Sequence, residues 1–334
     1  MLVDRHWVGD WQPVQASDGK GAFVRQTSSF RNWVTADGEA GPTGEGGFQA
    51  EPDRYHLYVA LICPWASRTL MARALKGLED VVSLTVVEPE LSPQGWRFGD
   101  DPESTDPVKG AAHLHEIYTA ADPHHTGRPT VPVLWDKRRR TIVNNESADI
   151  LRMFNTGFGD FARGDIDLYP VDLREEIDSL NEAIYPRLNN GVYRAGFATT
   201  QCAYEEAFAD VFGMLDALEA RLSAKGPFLT GERFTEADIR LFVTLVRFDV
   251  AYHGLFKCNL RRLADYRALS AYLARVLAMP GIRETVDIGH IKRGYYSIRA
   301  LNPHGIVPLG PDLPGLDPVV LPGPGRSAGT GTEV

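Results

Sequence analysis

The chain has 334 residues, 43% of them apolar and 24% charged, and a formal net charge of −9 at pH 7. This is enough for two modest domains or one large one, and no basic stretch indicates nucleic-acid binding. No apolar run approaches the roughly 20 residues of a membrane span, and the N-terminus has no signal-peptide pattern. Three scattered cysteines do not form a disulfide framework. These features predict a soluble cytoplasmic protein.

Residues 1–53 are rich in glycine and polar residues and end in the run GEAGPTGEGG. This run lacks the Gly-Lys-Ser/Thr sequence and the strand–helix context of a phosphate-binding loop. We therefore expect an irregular N-terminal arm. Phe30 and Trp33 indicate that the arm packs on the core.

Regular patterns begin at residue 54. YHLYVALI predicts a central strand, SRTLMARALKG a helix and VVSLTVVEP a second strand, which together make a parallel βαβ unit. A helix around residues 111–121 follows. PTVPVLWD and TIVNNES then predict an antiparallel hairpin around the charged turn 137–140, and SADILRMFN opens another helix. This order predicts a thioredoxin-like α/β domain over residues 54–160.

Residues 161–307 show only helical periodicity and predict an all-α C-terminal domain. Thr235 and Asp238 form a capping-box pattern at the start of one of its helices. Proline and glycine recur through residues 308–334, which predicts an extended or disordered tail. The predicted helices span residues 172–189, 200–223, 235–252 and 267–278.

Cys63, in ALICPWASRTL, has three interpretations: a buried structural residue, half of a lost redox pair, or a nucleophile on its own. If the helix begins at Pro64, free amides and the helix dipole stabilise the thiolate and lower the thiol pKa from about 8.5 to between about 3.5 and 7.5. Ala66 stands where a dithiol motif has its second cysteine, and neither Cys202 nor Cys258 is an obvious partner. The pattern favours a lone reactive thiol that an external thiol must release.

Two further segments suit a thiol-peptide site. Val131 and Pro132 open the hairpin, at the bend that presents backbone groups to a thiol peptide in thioredoxin-like folds. Ser147 is predicted to be the N-cap of the next helix, where free amides bind a carboxylate. A capping role without ligand binding is the alternative for Ser147.

The histidines and the paired tyrosines are less informative. His113, His115, His124 and His125 are not spaced to share one helical face, so we expect solvated histidines and no metal site. Tyr295 and Tyr296 are interpreted equally well as core residues or as an aromatic pocket for a phenolic ligand.

The chain resembles the glutathionyl-hydroquinone reductases, the Xi class of the glutathione transferase superfamily. The resemblance rests on SFRNWVTADGEAGPTGEGGF, RYHLYVALICPWASRTL, TVPVLWD, TIVNNESADILRMFN, NNGVYRAGFAT, LTGERFTEADIRLFVTLVRFD and HIKRGYY. It implies the glutathione transferase architecture, a homodimer and Cys63 as catalytic nucleophile. It places glutathione on Trp96, Arg128, Val131, Glu146 and Ser147, and the hydroquinone against Tyr193 and Tyr295, with Tyr296 as a further candidate. Ser67 after CPWA is not expected to affect the chemistry.

The implied reaction removes glutathione from a glutathionyl-hydroquinone through a Cys63–glutathione mixed disulfide. The hydroxyls of Tyr193 and Tyr295 suit proton donation to the ring. The alternatives are an omega-like thiol transferase or dehydroascorbate reductase that uses the same cysteine, and a non-catalytic protein that binds aromatic ligands. Glutathione is the expected co-substrate, and no metal, nucleic acid or membrane is expected to bind.

Overall fold

The N-terminal arm contains two short strand pairs. In this computed structural model, which describes residues 1–9, 19–25, 27–101 and 104–313, β1 (Leu2–Val3) runs antiparallel to β2 (His6–Trp7). β3 (Trp33–Thr35) runs parallel to β4 (Gly47–Gln49). Residues 314–334 of the predicted tail lie outside these ranges, and residues 308–313 have no regular secondary structure.

The glycine run of the arm is needed for close packing. A Cβ at Gly47 would lie 1.8 Å from the carbonyl oxygen of Gly38, so no other residue fits between the two segments. Val34 in β3 is fully buried, and its amide donates to Sδ of Met153 at 3.1 Å. The arm is therefore packed against the rest of the chain.

A four-stranded sheet carries the first half of the fold. β5 (Tyr55–Val59) is buried at every position and runs parallel to β6 (Val82–Val86). On its other side β5 pairs antiparallel with β7 (Val133–Asp136), which in turn pairs with β8 (Thr141–Asn144). The sheet order is β6–β5–β7–β8. The predicted βαβ unit and hairpin, and with them the thioredoxin-like fold class, are confirmed.

Three helices belong to this sheet: α1 (Pro64–Leu75), α2 (Leu114–Ala121) and α3 (Ser147–Arg152). The remaining helices are α4 (Arg174–Ile184), α5 (Gly191–Gly196), α6 (Gln201–Lys225), α7 (Glu236–Arg247), α8 (Arg267–Leu277) and α9 (Ile288–Tyr296). The predicted all-α second half is confirmed. The described ranges contain no helix with both the length and the apolarity to cross a membrane.

The structure corrects the predicted helices in two ways. The predicted helices ending at residues 189 and 252 close with π-helical turns, Tyr185–Asn189 and Phe248–Tyr252. Helices α5 and α9 were not predicted, and Tyr295 and Tyr296 lie within α9 instead of after the last helix. Glycine weakens the helical signal of α9. At Gly294 it is required, because a Cβ there would lie 2.5 Å from Ile62.

Candidate active site

A cavity of about 350 Å³ lies where the arm, the sheet domain and the helical half meet. Cys63 faces this cavity, and so do side chains from all three parts of the chain. They include Phe23, Arg25, Trp65, Arg68, Trp96, His125, Arg128, Val131, Glu146, Ser147, Tyr185, Tyr193 and Tyr295. The structure thus brings together all the predicted site residues except Tyr296.

Cys63 is the N-cap of α1; β5 ends at Val59, earlier than the run YHLYVALI predicts, and residues 60–62 form a turn between the two elements. Cys63 has an extended backbone (φ −78°, ψ 116°), Pro64 is the first helical residue, and the side chain is half-buried. The thiol donates to the carbonyl oxygen of Val131, with 3.7 Å between Sγ and O. The Val131–Pro132 peptide is cis. Cys202 is exposed and Cys258 is buried in the core.

The expected lowering of the Cys63 pKa is wrong for this cavity. Burial raises the pKa of the thiol, and it outweighs the amides of Ala66 and Trp65 and the guanidinium groups of Arg247 and Arg25, which favour the thiolate. The helix-terminus argument considers only local dipoles, whereas removal of the thiolate from water is a tertiary effect. The thiol therefore gains reactivity as the pH rises through this raised pKa.

Arg247, at the end of α7, is hydrogen-bonded to the segment that contains Cys63. Its guanidinium donates to the carbonyl oxygens of Ile62 (2.8 Å) and Leu61 (2.7 Å) and to Oγ of Ser67 (2.6 Å). The side chain is 2% exposed, and no carboxylate pairs with it among the described residues. Its positive charge therefore favours the Cys63 thiolate. Ser67 accepts one of the hydrogen bonds of this guanidinium. The sequence signal for Arg247 was a single cation within an apolar stripe.

We expect Arg247→Met to raise the Cys63 pKa further, because a nearby cation that favours the thiolate is lost. It should also lower the free energy of unfolding by about 2–4 kcal/mol, since buried carbonyl groups lose their donors. Rates of Cys63 alkylation from pH 6 to pH 10, followed by mass spectrometry, measure the first effect. Arg233→Met, at an exposed arginine of the same half, is the control. An unchanged alkylation profile in Arg247→Met would show that the arginine is only structural.

The predicted glutathione side lies around Glu146. Glu146, not Ser147, is the N-cap of α3, because its Oε1 accepts from the amide of Ala148 at 3.1 Å. The prediction for Ser147 is therefore wrong: Ser147 is the first helical residue. The cause is Asn144, whose Oδ1 accepts from the Glu146 amide at 2.6 Å and orients the turn. The carboxylate of Glu146 can bind an ammonium group. The hydroxyl of Ser28, in the arm, donates to Oε2 of Glu146 at 3.0 Å.

Arg128 and Trp96 lie on the same side of the cavity. Burial lowers the pKa of Arg128 to about 10, with a further contribution from Arg25, and the guanidinium stays cationic at neutral pH. Trp96 is 7% exposed. This side therefore combines one carboxylate, one cation and the backbone of Val131, which are the groups that a charged thiol peptide requires.

Tyr193 and Tyr295 form an aromatic side of the cavity, and their hydroxyl cluster includes Tyr252, which is buried and does not line the cavity. The hydroxyl of Tyr295 lies 2.6 Å from that of Tyr193 and 2.7 Å from that of Tyr252. Burial raises the pKa of Tyr193, and raises those of Tyr252 and Tyr295 well above the usual value, so the hydroxyls stay protonated. Tyr252 was missed because the π-helical turn that aims it has no sequence signature. Tyr296 does not line the cavity.

The expectation of solvated histidines holds at His124 and is wrong at His125. The rings of His113 and His115 stack at 5.4 Å, and with Glu116 they place ligand atoms within 4.8 Å of one another. His113 caps α2, which turns its side chain back toward His115; Oε1 of Glu116 already accepts from the amide of His113 at 2.8 Å. His125 is buried against the ring of Tyr118 instead of solvated, whereas His124 is exposed.

Comparison with known proteins agrees with this geometry. The family models described as "Glutathione S-transferase, N-terminal domain" and "Glutathione S-transferase, C-terminal domain" match residues 62–156 and 202–275. Glutathionyl-hydroquinone reductase YqjG of Escherichia coli K12 is 51% identical over 93% of this chain and 95% of its own. Reductase PcpF of Sphingobium chlorophenolicum is 48% identical over 95% and 98%.

Solved structures give the same picture. The glutathione-bound structure of YqjG has a TM-score of 0.85 at 50% identity and covers 93% of this chain and 96% of its own. The glutathione S-transferase Xi of Phanerochaete chrysosporium has a TM-score of 0.83 at 45% identity, with 91% and 97% covered. Both likenesses run through nearly the whole chain.

Proposed function

The chain belongs to the Xi class of the glutathione transferase superfamily, and on that premise we propose that it is a glutathionyl-hydroquinone reductase. The reaction uses glutathione to convert a glutathionyl-hydroquinone into the hydroquinone and glutathione disulfide. One observation carries the proposal: a lone thiol and linked tyrosine hydroxyls open into the same cavity. A single aryl thioether placed there meets a nucleophile at its sulfur and proton donors at its ring.

The first step breaks the bond between sulfur and the ring. The Cys63 thiolate attacks the thioether sulfur while the ring is in its ketone form, and a disulfide to glutathione forms. The electron pair of the carbon–sulfur bond moves through the ring to the ketone oxygen. That oxygen takes a proton from the hydroxyl of Tyr193 or Tyr295, and the reduced hydroquinone leaves.

The second step regenerates the thiol. A second glutathione thiolate attacks the Cys63–glutathione disulfide, releases glutathione disulfide and leaves the Cys63 thiolate. An external thiol is required because Cys258 is buried in the core, Cys202 is exposed on α6 and Ala66 occupies the dithiol position. The chain thus works as a monothiol enzyme.

Glutathione would bind along the polar side of the cavity. In this proposal its cysteinyl backbone pairs with Val131, and its ammonium group meets the carboxylate of Glu146. Ser147 and Arg128 receive its carboxylates, and Trp96 closes the site. Residues 54–160 would form the thiol-binding domain and 161–307 the helical domain, with 1–53 as the packed arm. We extend the proposal to a homodimer, which sedimentation measurements test, and to a cytoplasmic location, which cell fractionation tests.

Glu146→Gln is expected to raise the KM for glutathione by about tenfold, because a charge-assisted hydrogen bond to the ammonium group is lost. Glutamine keeps an oxygen that can accept from the Ala148 amide, so the cap of α3 is preserved. Steady-state kinetics at varied glutathione measures the change. The control is Glu182→Gln, at an exposed position on α4 outside the cavity. An equal KM in both variants would remove Glu146 from the glutathione site.

A thiol transferase that uses the same Cys63 is the second candidate function. Its first step breaks a sulfur–sulfur bond, whereas that of the reductase breaks a carbon–sulfur bond. Parallel assays with a glutathionyl-hydroquinone, a small glutathione mixed disulfide and dehydroascorbate separate the two. We expect kcat/KM to be highest for the aryl thioether, since the tyrosine side of the cavity has a role only there. Turnover of the mixed disulfide alone would replace the reductase by the transferase.

A further inference from the structure

Arg25 brings a positive charge from the arm into the cavity. Its Nε donates to Oδ1 of Asn190 at 3.1 Å. Its Nη2 is buried and has no hydrogen-bond partner, and among the described residues no carboxylate forms an ion pair with it. A buried donor of this kind costs free energy unless an acceptor satisfies it. The guanidinium is thus placed to receive an anionic group that enters the cavity.

Aromatic rings fix the position of this guanidinium. Its central carbon lies 4.7 Å from the ring centre of Trp65, 5.0 Å from that of Tyr193 and 5.3 Å from that of Phe23. Such cation–π contacts orient an arginine without neutralising its charge. Tyr193 is also the tyrosine whose hydroxyl meets Tyr295. Arg25 therefore lies on the aromatic side of the cavity, where the ring of the substrate would bind.

The other polar residues of the cavity lining account for the charged groups of glutathione in the proposed complex, and Arg25 is not needed for them. The charged lining residues are the arginines at 25, 68 and 128 and a single carboxylate at 146. In the proposed complex, Glu146 pairs with the ammonium group of glutathione, Arg128 with one of its two carboxylates and Ser147 with the other. Arg68 lies under the ring of Trp65 and donates to Asn189 at 3.1 Å. An excess of positive charge remains at Arg25 on the aromatic side.

We propose that Arg25 binds a carboxylate on the aromatic ring of the substrate, so that the preferred substrates are glutathionyl-hydroquinones with an acidic ring. This inference rests on the proposed reductase function. The Nη2 donor and the full charge of the guanidinium would meet the carboxylate, while the ring lies against Tyr193 and Phe23. Arg25 is then a specificity-determining residue that the arm contributes.

The test compares two substrates, 2-glutathionyl-hydroquinone and the glutathionyl adduct of 2,5-dihydroxybenzoate, which differ by one ring carboxylate. In Arg25→Gln we expect kcat/KM to fall by roughly 10- to 100-fold for the carboxylated substrate and by no more than a few-fold for the other. Arg25→Lys, which keeps the charge, should recover part of the loss. Arg163→Gln, at an exposed arginine remote from the cavity, should match the unmodified protein on both substrates.

Two results would overturn the inference. One is an equal loss on both substrates in Arg25→Gln, which would assign the arginine to a part of the ligand common to both. The other is a matching loss of affinity for glutathione alone, measured by titration. If the unmodified protein turns over neither substrate, it is the proposed reductase function that fails. Melting curves of both Arg25 variants verify that they fold.

Discussion

Replacing Cys63 by serine is expected to reduce turnover of a glutathionyl-hydroquinone at least about a thousandfold. A serine hydroxyl is a far weaker nucleophile toward sulfur than a thiolate. The substitution is nearly isosteric at a half-buried helix cap, so the fold should be retained. The measurement is the rate of hydroquinone release at saturating glutathione.

The other cysteines supply matched controls. Cys202→Ser changes an exposed thiol and should leave the rate unchanged. Cys258→Ser changes a buried thiol and should lower thermal stability more than it lowers the rate. Undiminished turnover in Cys63→Ser would contradict the mechanism in which Cys63 attacks the thioether sulfur.

Tyr295→Phe is expected to lower the kcat for a glutathionyl-hydroquinone by about 10²- to 10⁴-fold, the range for loss of a general acid. Its hydroxyl is hydrogen-bonded to those of Tyr193 and Tyr252, so its removal takes a proton donor from the cluster. Reduction of a preformed Cys63–glutathione disulfide needs no ring proton and should change by only a few-fold. Stopped-flow measurement of the two half-reactions separates these effects.

The neighbouring residue on α9 provides the control for this variant. Tyr296→Phe alters a half-buried tyrosine that does not line the cavity, and should keep most of the activity. Tyr193→Phe should resemble Tyr295→Phe, because the two hydroxyls are hydrogen-bonded. Full turnover in both Tyr193→Phe and Tyr295→Phe would remove tyrosine proton donation from the mechanism.

The parts of the fold that the sequence predicted have strong local signals. The continuous apolar run YHLYVALI predicted a buried strand over residues 55–62; β5 is buried at every position but ends at Val59. Pro64 marks a helix start because the amide it lacks needs no partner there. The charged turn 137–140 separates two short apolar segments and predicted the β7–β8 hairpin. Each of these inferences depends on residues that are close in the chain.

The remaining features of the site depend on contacts between distant segments. Arg247 lies more than 180 positions after the carbonyl groups it binds, and Arg25 reaches the cavity only through the packing of the arm. The N-cap of α3 is Glu146 instead of Ser147, and the amide of Glu146 donates to Oδ1 of Asn144. The Cys63 pKa followed burial, which a local helix argument does not contain. Periodicity cannot report such tertiary effects.

The most direct test of the mechanism is a single turnover with 2-glutathionyl-hydroquinone in the absence of free glutathione. Mass spectrometry should find one glutathionyl group on the Cys63 peptide, with an equal amount of hydroquinone released. Cys202 and Cys258 should stay unmodified, and added glutathione should then restore the Cys63 thiol and produce glutathione disulfide. Hydroquinone release with Cys63 unmodified would contradict the mixed-disulfide mechanism.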